Sequence, residues 1–75
     1  MDKNHFLQSF AEQFDDTDPS TITLETHFKE MEEWSSMVAL MIIAMVDEQY
    51  SKKITGADLR EANTIEQLFE RVSSK

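Results

Sequence analysis

The chain has 75 residues, of which 40% are hydrophobic and 29% are charged, a balance typical of one small globular domain rather than of a disordered segment. It contains no cysteine, which excludes disulfides and thiolate metal sites. Fifteen acidic against seven basic side chains give a formal charge of −8, so nucleic acid is not an expected partner, because binding it requires a basic face.

The first predicted helix begins near Asp2 or Asn4 and ends around the segment D-D-T-D-P-S. Pro19 and the small polar residues beside it break the helical pattern there. Apolar residues that recur at spacings of three and four share one face of this helix: Phe6, Leu7, Phe10 and Phe14. This face is expected to pack into the core.

Residues 20–34 have an irregular pattern that predicts a long loop, with one turn of helix around E-T-H-F-K-E-M as an option. Long loops without structure of their own are uncommon and are usually pinned or functional. The apolar residues of this loop are scattered, and they are expected to pin it to the core: Ile22, Leu24, Phe28 and Met31.

The second predicted helix follows Ser35, a residue type that favours the N-cap position. Tyr50 is the last residue of the apolar pattern of this helix. Its core face is predicted from residues spaced by three and four, with Ile42 at the flank: Leu40, Ile43, Val46 and Tyr50. Val38, Met41 and Met45 then fall on or near the opposite face. Extra core contact and an apolar docking patch are both open for these three residues.

Two shorter helices follow the break S-K-K-I-T-G. The segment A-D-L-R-E-A predicts a short third helix, and Thr64 with Gln67 forms a capping box that starts the last helix. An apolar stripe then marks the inner face of that helix: Ile65, Leu68, Phe69 and Val72. The predicted fold is therefore all-α, a small four-helix bundle of three main helices and one short helix with a long first loop, in which residues 1–75 form a single domain.

No part of the sequence predicts export or membrane insertion. The N-terminal residues lack the basic start and apolar core of a signal peptide. The longest apolar run, Met37 to Val46, has ten residues, whereas a bilayer span needs about 20. We therefore expect a cytoplasmic protein that does not insert into membranes.

Catalytic and metal-binding patterns are missing from the sequence. A calcium loop starting at Asp16 would need Gly at its sixth position and Glu at its twelfth, where the chain has Thr21 and His27. His5 and His27 have no second ligand at zinc spacing. Because no nucleophile elbow, P-loop or dinucleotide fingerprint occurs either, we expect neither an enzyme nor a metalloprotein.

Ser35 and Ser36 stand at the start of the second predicted helix. Unpaired backbone N–H groups and the positive end of the helix dipole favour an anion at such a position. A phosphate ester on one of these serines would be stabilised there and exposed to another protein. On the residues alone, a simple capping role is the favoured interpretation.

The segment from Trp34 to Val72 resembles the acyl carrier proteins, which carry acyl groups on a 4′-phosphopantetheine arm. In that family the arm is attached to the serine of a D-S-L motif at the start of the second helix, and this chain reads S-S-M at residues 35–37. An acidic pair and an aromatic residue follow in register at 47–50, then Ile54, and T-I-E-Q-L opens the last helix. The apolar first helix, the long loop and Phe28 extend the likeness over nearly the whole chain.

The resemblance implies that Ser36 is the attachment residue, because Met37 stands where the family has the apolar residue that follows its serine. Ser35 then replaces the family's aspartate, whose carboxylate helps to hold the metal ion of the phosphopantetheinyl transferase that installs the arm. A neutral hydroxyl is a weaker ligand for a hard cation. That transferase is therefore the first expected partner, and Ser35 is expected to affect loading.

The implied function is a monomeric, non-catalytic acyl carrier protein that presents acyl thioesters to enzymes of fatty acid, polyketide or related biosynthesis with basic or apolar docking patches. Residues near the serine and at the far end of the helix are expected to contact these partners: Trp34, Met37, Val38, Met41, Asp47 and Glu48. For Trp34, packing of the loop onto the bundle is the leading expectation beside this contact.

The sequence also allows two other functions. The first keeps the fold and replaces the acyl cargo with an aminoacyl group, as in a peptidyl carrier. The second is an unmodified helical interaction module that binds partners through Val38, Met41 and Met45.

Overall fold

The computed structural model describes residues 2–75, and within them it contains four α-helices, two 3₁₀ turns and no β-strand. The helices are α1 (Lys3–Ala11), α2 (Ser36–Tyr50), α3 (Gly56–Glu61) and α4 (Ile65–Ser73). The 3₁₀ turns lie in the long first loop, at Pro19–Thr21 and Phe28–Glu30. The all-α fold with three main helices, one short helix and a long first loop is therefore confirmed. None of the helices in residues 2–75 is long and apolar enough to cross a membrane.

Helix α1 ends earlier than the sequence pattern predicts. Its last residue is Ala11, and the chain then tightens through bonds from the Gln13 N–H to the Phe10 carbonyl and from the Phe14 N–H to the Ala11 carbonyl, both at 3.1 Å. Such short-range bonds commonly complete the last turn of a helix. They keep Phe14 in the core although it lies outside the helix. Burial of Phe14 was therefore predicted correctly from its spacing, but its helical backbone was not.

Apolar anchors and backbone hydrogen bonds together hold the long loop. Ile22 and Phe28 are buried in the core, as predicted, and Leu24 and Met31 pack against it. The loop also contacts the start of α4, where the N–H groups of Ile65 and Glu66 donate to loop carbonyls at 3.3 and 3.0 Å. Two helix-terminal donors that have no partner inside their own helix are satisfied in this way.

A carboxylate closes the other end of the loop. Glu33 accepts hydrogen bonds from the Thr17 hydroxyl at 2.6 Å and from the backbone N–H groups of Asp15 and Asp16, at 2.8 and 3.2 Å. The bond from Thr17, followed by those from the backbone, lowers the pKa of Glu33. The acidic turn after α1 is thus fastened to the residues that immediately precede α2.

The cap of α2 agrees with the prediction, and its core face agrees except at Leu40. Ser35 is the N-cap, with extended backbone angles (φ −153°, ψ 171°) and a side chain that accepts from the Val38 N–H at 3.2 Å. Ile42 and Val46 are buried as predicted, and Ile43 and Tyr50 pack against the core, whereas Leu40, also a predicted core residue, is 66% exposed. Val38 and Met45 are buried too, so of the two possibilities left open for them the extra core contact is the one found. Leu40 was placed on the wrong face because ten consecutive apolar residues contain no polar position that marks the outer face.

Asp58 joins the short helix α3 to the C-terminal part of the chain. Its carboxylate accepts from the Thr55 N–H at 2.9 Å, completing a capping box, and from the Arg71 guanidinium at 2.8 Å. The Lys75 ammonium lies 3.2 Å from its other oxygen. The bond from Thr55, and then those from Arg71 and Lys75, outweigh burial and lower the pKa of Asp58 from 3.8 to about 2.

Replacement of Asp58 by Asn tests this junction. Because the folded-state pKa lies below the unfolded value of 3.8, the carboxylate stabilises the fold fully above that pH, and the effect is lost as the pH falls towards 2. At neutral pH we expect Asp58→Asn to lower the free energy of unfolding by about 1–2 kcal/mol, since exposure of Arg71 screens part of the interaction. Urea unfolding of both proteins at a series of pH values should show this difference shrinking in acid.

Asp47→Asn is the matched control for that series, because Asp47 is an exposed aspartate paired only with Lys53. It should change the free energy of unfolding by less than about 0.5 kcal/mol. A difference between wild type and Asp58→Asn that stays constant down to low pH would contradict the role given to the carboxylate.

The two serines at the start of α2 should differ in their contribution to stability. Ser35→Ala removes a side-chain cap, and we expect a loss of about 1 kcal/mol in the free energy of unfolding, measured with urea. Ser36→Ala should change it by less than about 0.5 kcal/mol, because the Ser36 hydroxyl makes no hydrogen bond within residues 2–75. A larger loss in Ser36→Ala than in Ser35→Ala would show that the cap is assigned to the wrong serine.

Candidate functional site at the start of helix α2

Ser36 is the first residue of α2, and its side chain is exposed. Ser35 already satisfies a helix-terminal N–H, which leaves the Ser36 hydroxyl available for other chemistry. The helix that follows has 15 residues, and its first turn contains no acidic side chain. The helix dipole and the remaining N–H groups therefore favour negative charge at Ser36.

A groove of about 420 Å³ opens beside this serine. Its walls come from the loop, from the start of α2 and from the helix α3, which is distant from both in sequence. Trp34, Ala39 and Leu59 give it apolar surface, and Lys29 and Arg60 give it positive charge. We call this feature the Ser36 groove. It combines an exposed hydroxyl, a positive helix end and a mixed apolar and cationic wall.

Trp34 packs as expected and also lines the groove. Its ring stands edge-on to Phe28, with centroids 5.1 Å apart, and lies 6.5 Å from Phe14. The side chain is half-buried, so part of the indole faces the Ser36 groove. Trp34 thus fixes the entry of the chain into α2 while leaving one surface accessible.

Three apolar residues form the outer face of α2: Met37, Leu40 and Met41. Met37 is 71% exposed and Leu40 66%, whereas Met41 is partly buried. Leu40 was missed as a surface residue, although it lies one turn after the exposed Ser36, and residues four apart share a helical face. Val38, predicted to contact partners, is only 7% exposed and packs in the core, which corrects that prediction.

Asp47 and Glu48 are exposed at the opposite end of α2. Asp47 pairs with Lys53 at 3.3 Å. At about 1.5 Å per residue, Glu48 lies about 18 Å along the helix axis from Ser36. The structure therefore brings Trp34, Met37 and Ser36 together, and it leaves the acidic pair as a separate feature. No cluster of three or more His, Asp or Glu side chains among the described residues could hold a metal ion.

Comparison with known proteins gives one match. A family model for the phosphopantetheine attachment site matches residues 5–72, which is nearly the whole chain. Searches of the curated proteins and of the solved structures found no significant match. Since the family match includes α2, α3, most of α1 and α4, both serines and the Ser36 groove, the chain belongs to the family of phosphopantetheine-binding carrier proteins, which are non-catalytic and carry a covalently attached 4′-phosphopantetheine.

Proposed function

We propose that this chain is an acyl carrier protein in which Ser36 bears the 4′-phosphopantetheine arm. The observation that carries the proposal is the exposed, unengaged hydroxyl of Ser36 at the first position of α2, inside the span of the family match. When bound, the arm supplies a terminal thiol that holds an acyl group as a thioester. The protein would deliver this group to cytoplasmic enzymes of fatty acid, polyketide or related biosynthesis.

The hydrogen bonding of the two serines favours Ser36 over Ser35. The Ser35 oxygen accepts from the Val38 N–H, and modification there would remove a helix cap worth about 1 kcal/mol. The Ser36 oxygen accepts no such capping hydrogen bond. During loading it would attack the phosphorus of coenzyme A that bears the pantetheine, lose its proton and displace the adenosine bisphosphate portion.

Ser35 should control how well the transferase loads the chain. In acyl carrier proteins the residue before the attachment serine is an aspartate that helps to hold the metal ion of the transferase. A serine hydroxyl ligates a hard cation more weakly than a carboxylate, but both residue types cap a helix well. Ser35→Asp should therefore speed loading without unfolding the start of α2.

The outer face of α2 is the proposed docking surface for partner enzymes. Met37 and Leu40 expose apolar side chains beside the attachment residue, and an exposed apolar patch of this kind marks an interaction surface. Asp47 and Glu48 add negative charge further along the helix. A complementary partner would present an apolar pocket near the arm and a basic rim towards the end of α2.

Intact mass measurement after incubation with a promiscuous phosphopantetheinyl transferase and coenzyme A tests the attachment residue. Wild type and Ser35→Ala should each gain one phosphopantetheine group, and Ser36→Ala should gain none, because only the Ser36 hydroxyl is free to react. Ser35→Asp should reach full modification faster than wild type.

Three results would contradict this assignment in different ways. Loss of loading in Ser35→Ala with retention in Ser36→Ala would move the attachment to Ser35. Failure of every variant, including Ser35→Asp, with any transferase would favour the unmodified interaction module. Modification by aminoacyl rather than acyl donors in a subsequent loading assay would favour the peptidyl carrier.

Leu40→Glu tests the docking surface. Burial of a leucine side chain is worth about 1.5–3 kcal/mol, and 1.4 kcal/mol corresponds to a factor of ten. We therefore expect kcat/KM for loading by the transferase to fall about ten-fold or more, with no loss of stability because Leu40 is exposed. Gln8→Glu adds the same charge at an exposed position of α1 and should leave the rate unchanged. Equal rates in all three proteins would rule out Leu40 as a docking residue.

A further inference from the structure

Two of the seven lysine and arginine side chains of this acidic protein line the Ser36 groove. Four of the seven lysine and arginine residues form ion pairs with carboxylates: Lys3, Lys53, Arg71 and Lys75. The other three, Lys29, Lys52 and Arg60, form none within residues 2–75, and of these Lys29 and Arg60 line the groove beside Ser36. No carboxylate among the described residues lines that groove. Two cations thus face the same space with their charge uncompensated, although the chain carries a formal charge of −8.

Lys29 is held across the groove by two contacts. Its ammonium donates to the backbone carbonyl of Arg60 at 2.6 Å and lies 5.9 Å from the centroid of the Phe28 ring. The first contact joins the loop to the end of α3. An ammonium has three donors, so this bond leaves two of them for an anion in the groove.

Arg60 lies over the first residue of α3. A Cβ atom at Gly56 would stand 3.4 Å from a terminal guanidinium nitrogen of Arg60, so the side chain folds back along the helix towards the groove. Gly56 also lines that groove. Arg60 thus lines the same groove as the start of α2, and the fork of N–H donors on its guanidinium suits the paired oxygens of a phosphate.

We propose that Lys29 and Arg60 bind the phosphodiester of the arm on Ser36. The first part of the arm then lies in the Ser36 groove, against the apolar surface of Trp34 and Leu59. This inference rests on the proposed attachment at Ser36. Charge complementarity selects the occupant, since a phosphodiester is the one anion that would be covalently fixed beside these two cations.

Phosphorus NMR of the modified protein tests this contact. The chemical shift of the phosphodiester should move as salt is raised from about 0.01 M to about 1 M, over which the screening length falls from about 30 Å to about 3 Å. In Arg60→Gln and in Lys29→Gln most of this movement should be lost, and the low-salt signal should already lie near the high-salt value. Contacts between the pantetheine methyl groups and the Trp34 indole, measured as nuclear Overhauser effects, should weaken in the same variants.

Two control variants separate this contact from general effects of charge. Lys53→Gln removes the same charge at the far end of α2, where Lys53 pairs with Asp47, and it should behave as wild type. Lys29→Arg keeps the charge and should retain the salt-dependent shift, which guards against a loss caused only by a rearranged loop.

The outcomes distinguish this inference from the proposed function. If intact mass shows that wild type remains unmodified, the proposed function fails and this inference fails with it. If wild type is modified but its phosphorus signal is the same in Arg60→Gln and Lys29→Gln, the attachment stands and only the inference is overturned. The two cations would then be available to bind an acidic group of a partner.

Discussion

The contact between Phe28 and Trp34 is the interaction on which the rest of the site depends. Phe28 is fully buried in the middle of the long loop, with its ring 5.4 Å from Phe10 of α1 and 5.1 Å from Trp34. Phe10 in turn touches Phe6, which contacts Phe69 of α4 at 5.5 Å. A continuous series of rings therefore runs from the last helix to the residue before the two serines. Because the loop is packed into this series, α2 enters the bundle in one direction, and Ser36 faces outward.

Much of the fold can be read from local signals, and the exceptions have a common cause. The capping box of Thr64 and Gln67, the cap at Ser35 and the stripe of α4 all depend on residues a few positions apart, and all three are found in the structure. On α2, Leu40 was assigned to the wrong face because the apolar run fits more than one orientation. Only the surrounding helices and the loop decide that Val38 turns inward and Leu40 outward.

In the candidate site, too, the features set by nearby residues were predictable and those set by distant residues were not. Ser36 could be identified from a short motif and its register, since both are local. The groove beside it could not, because Lys29 and Arg60 are 31 positions apart and meet only when the loop folds onto α3. The ion pair between Asp58 and Arg71 is equally non-local, as it joins α3 to α4. Sequence spacing thus indicated a candidate attachment residue but carried no information about what surrounds it.

The position of Trp34 has a consequence for observing the protein at work. It is the only tryptophan of the chain, and it lies half-buried on the wall of the groove, two residues before Ser36. Indole emission is sensitive to the polarity of its surroundings, and all tryptophan emission of this chain comes from Trp34. Entry and departure of an occupant could therefore be followed optically in the unlabelled protein, in real time, while enzymes compete for it.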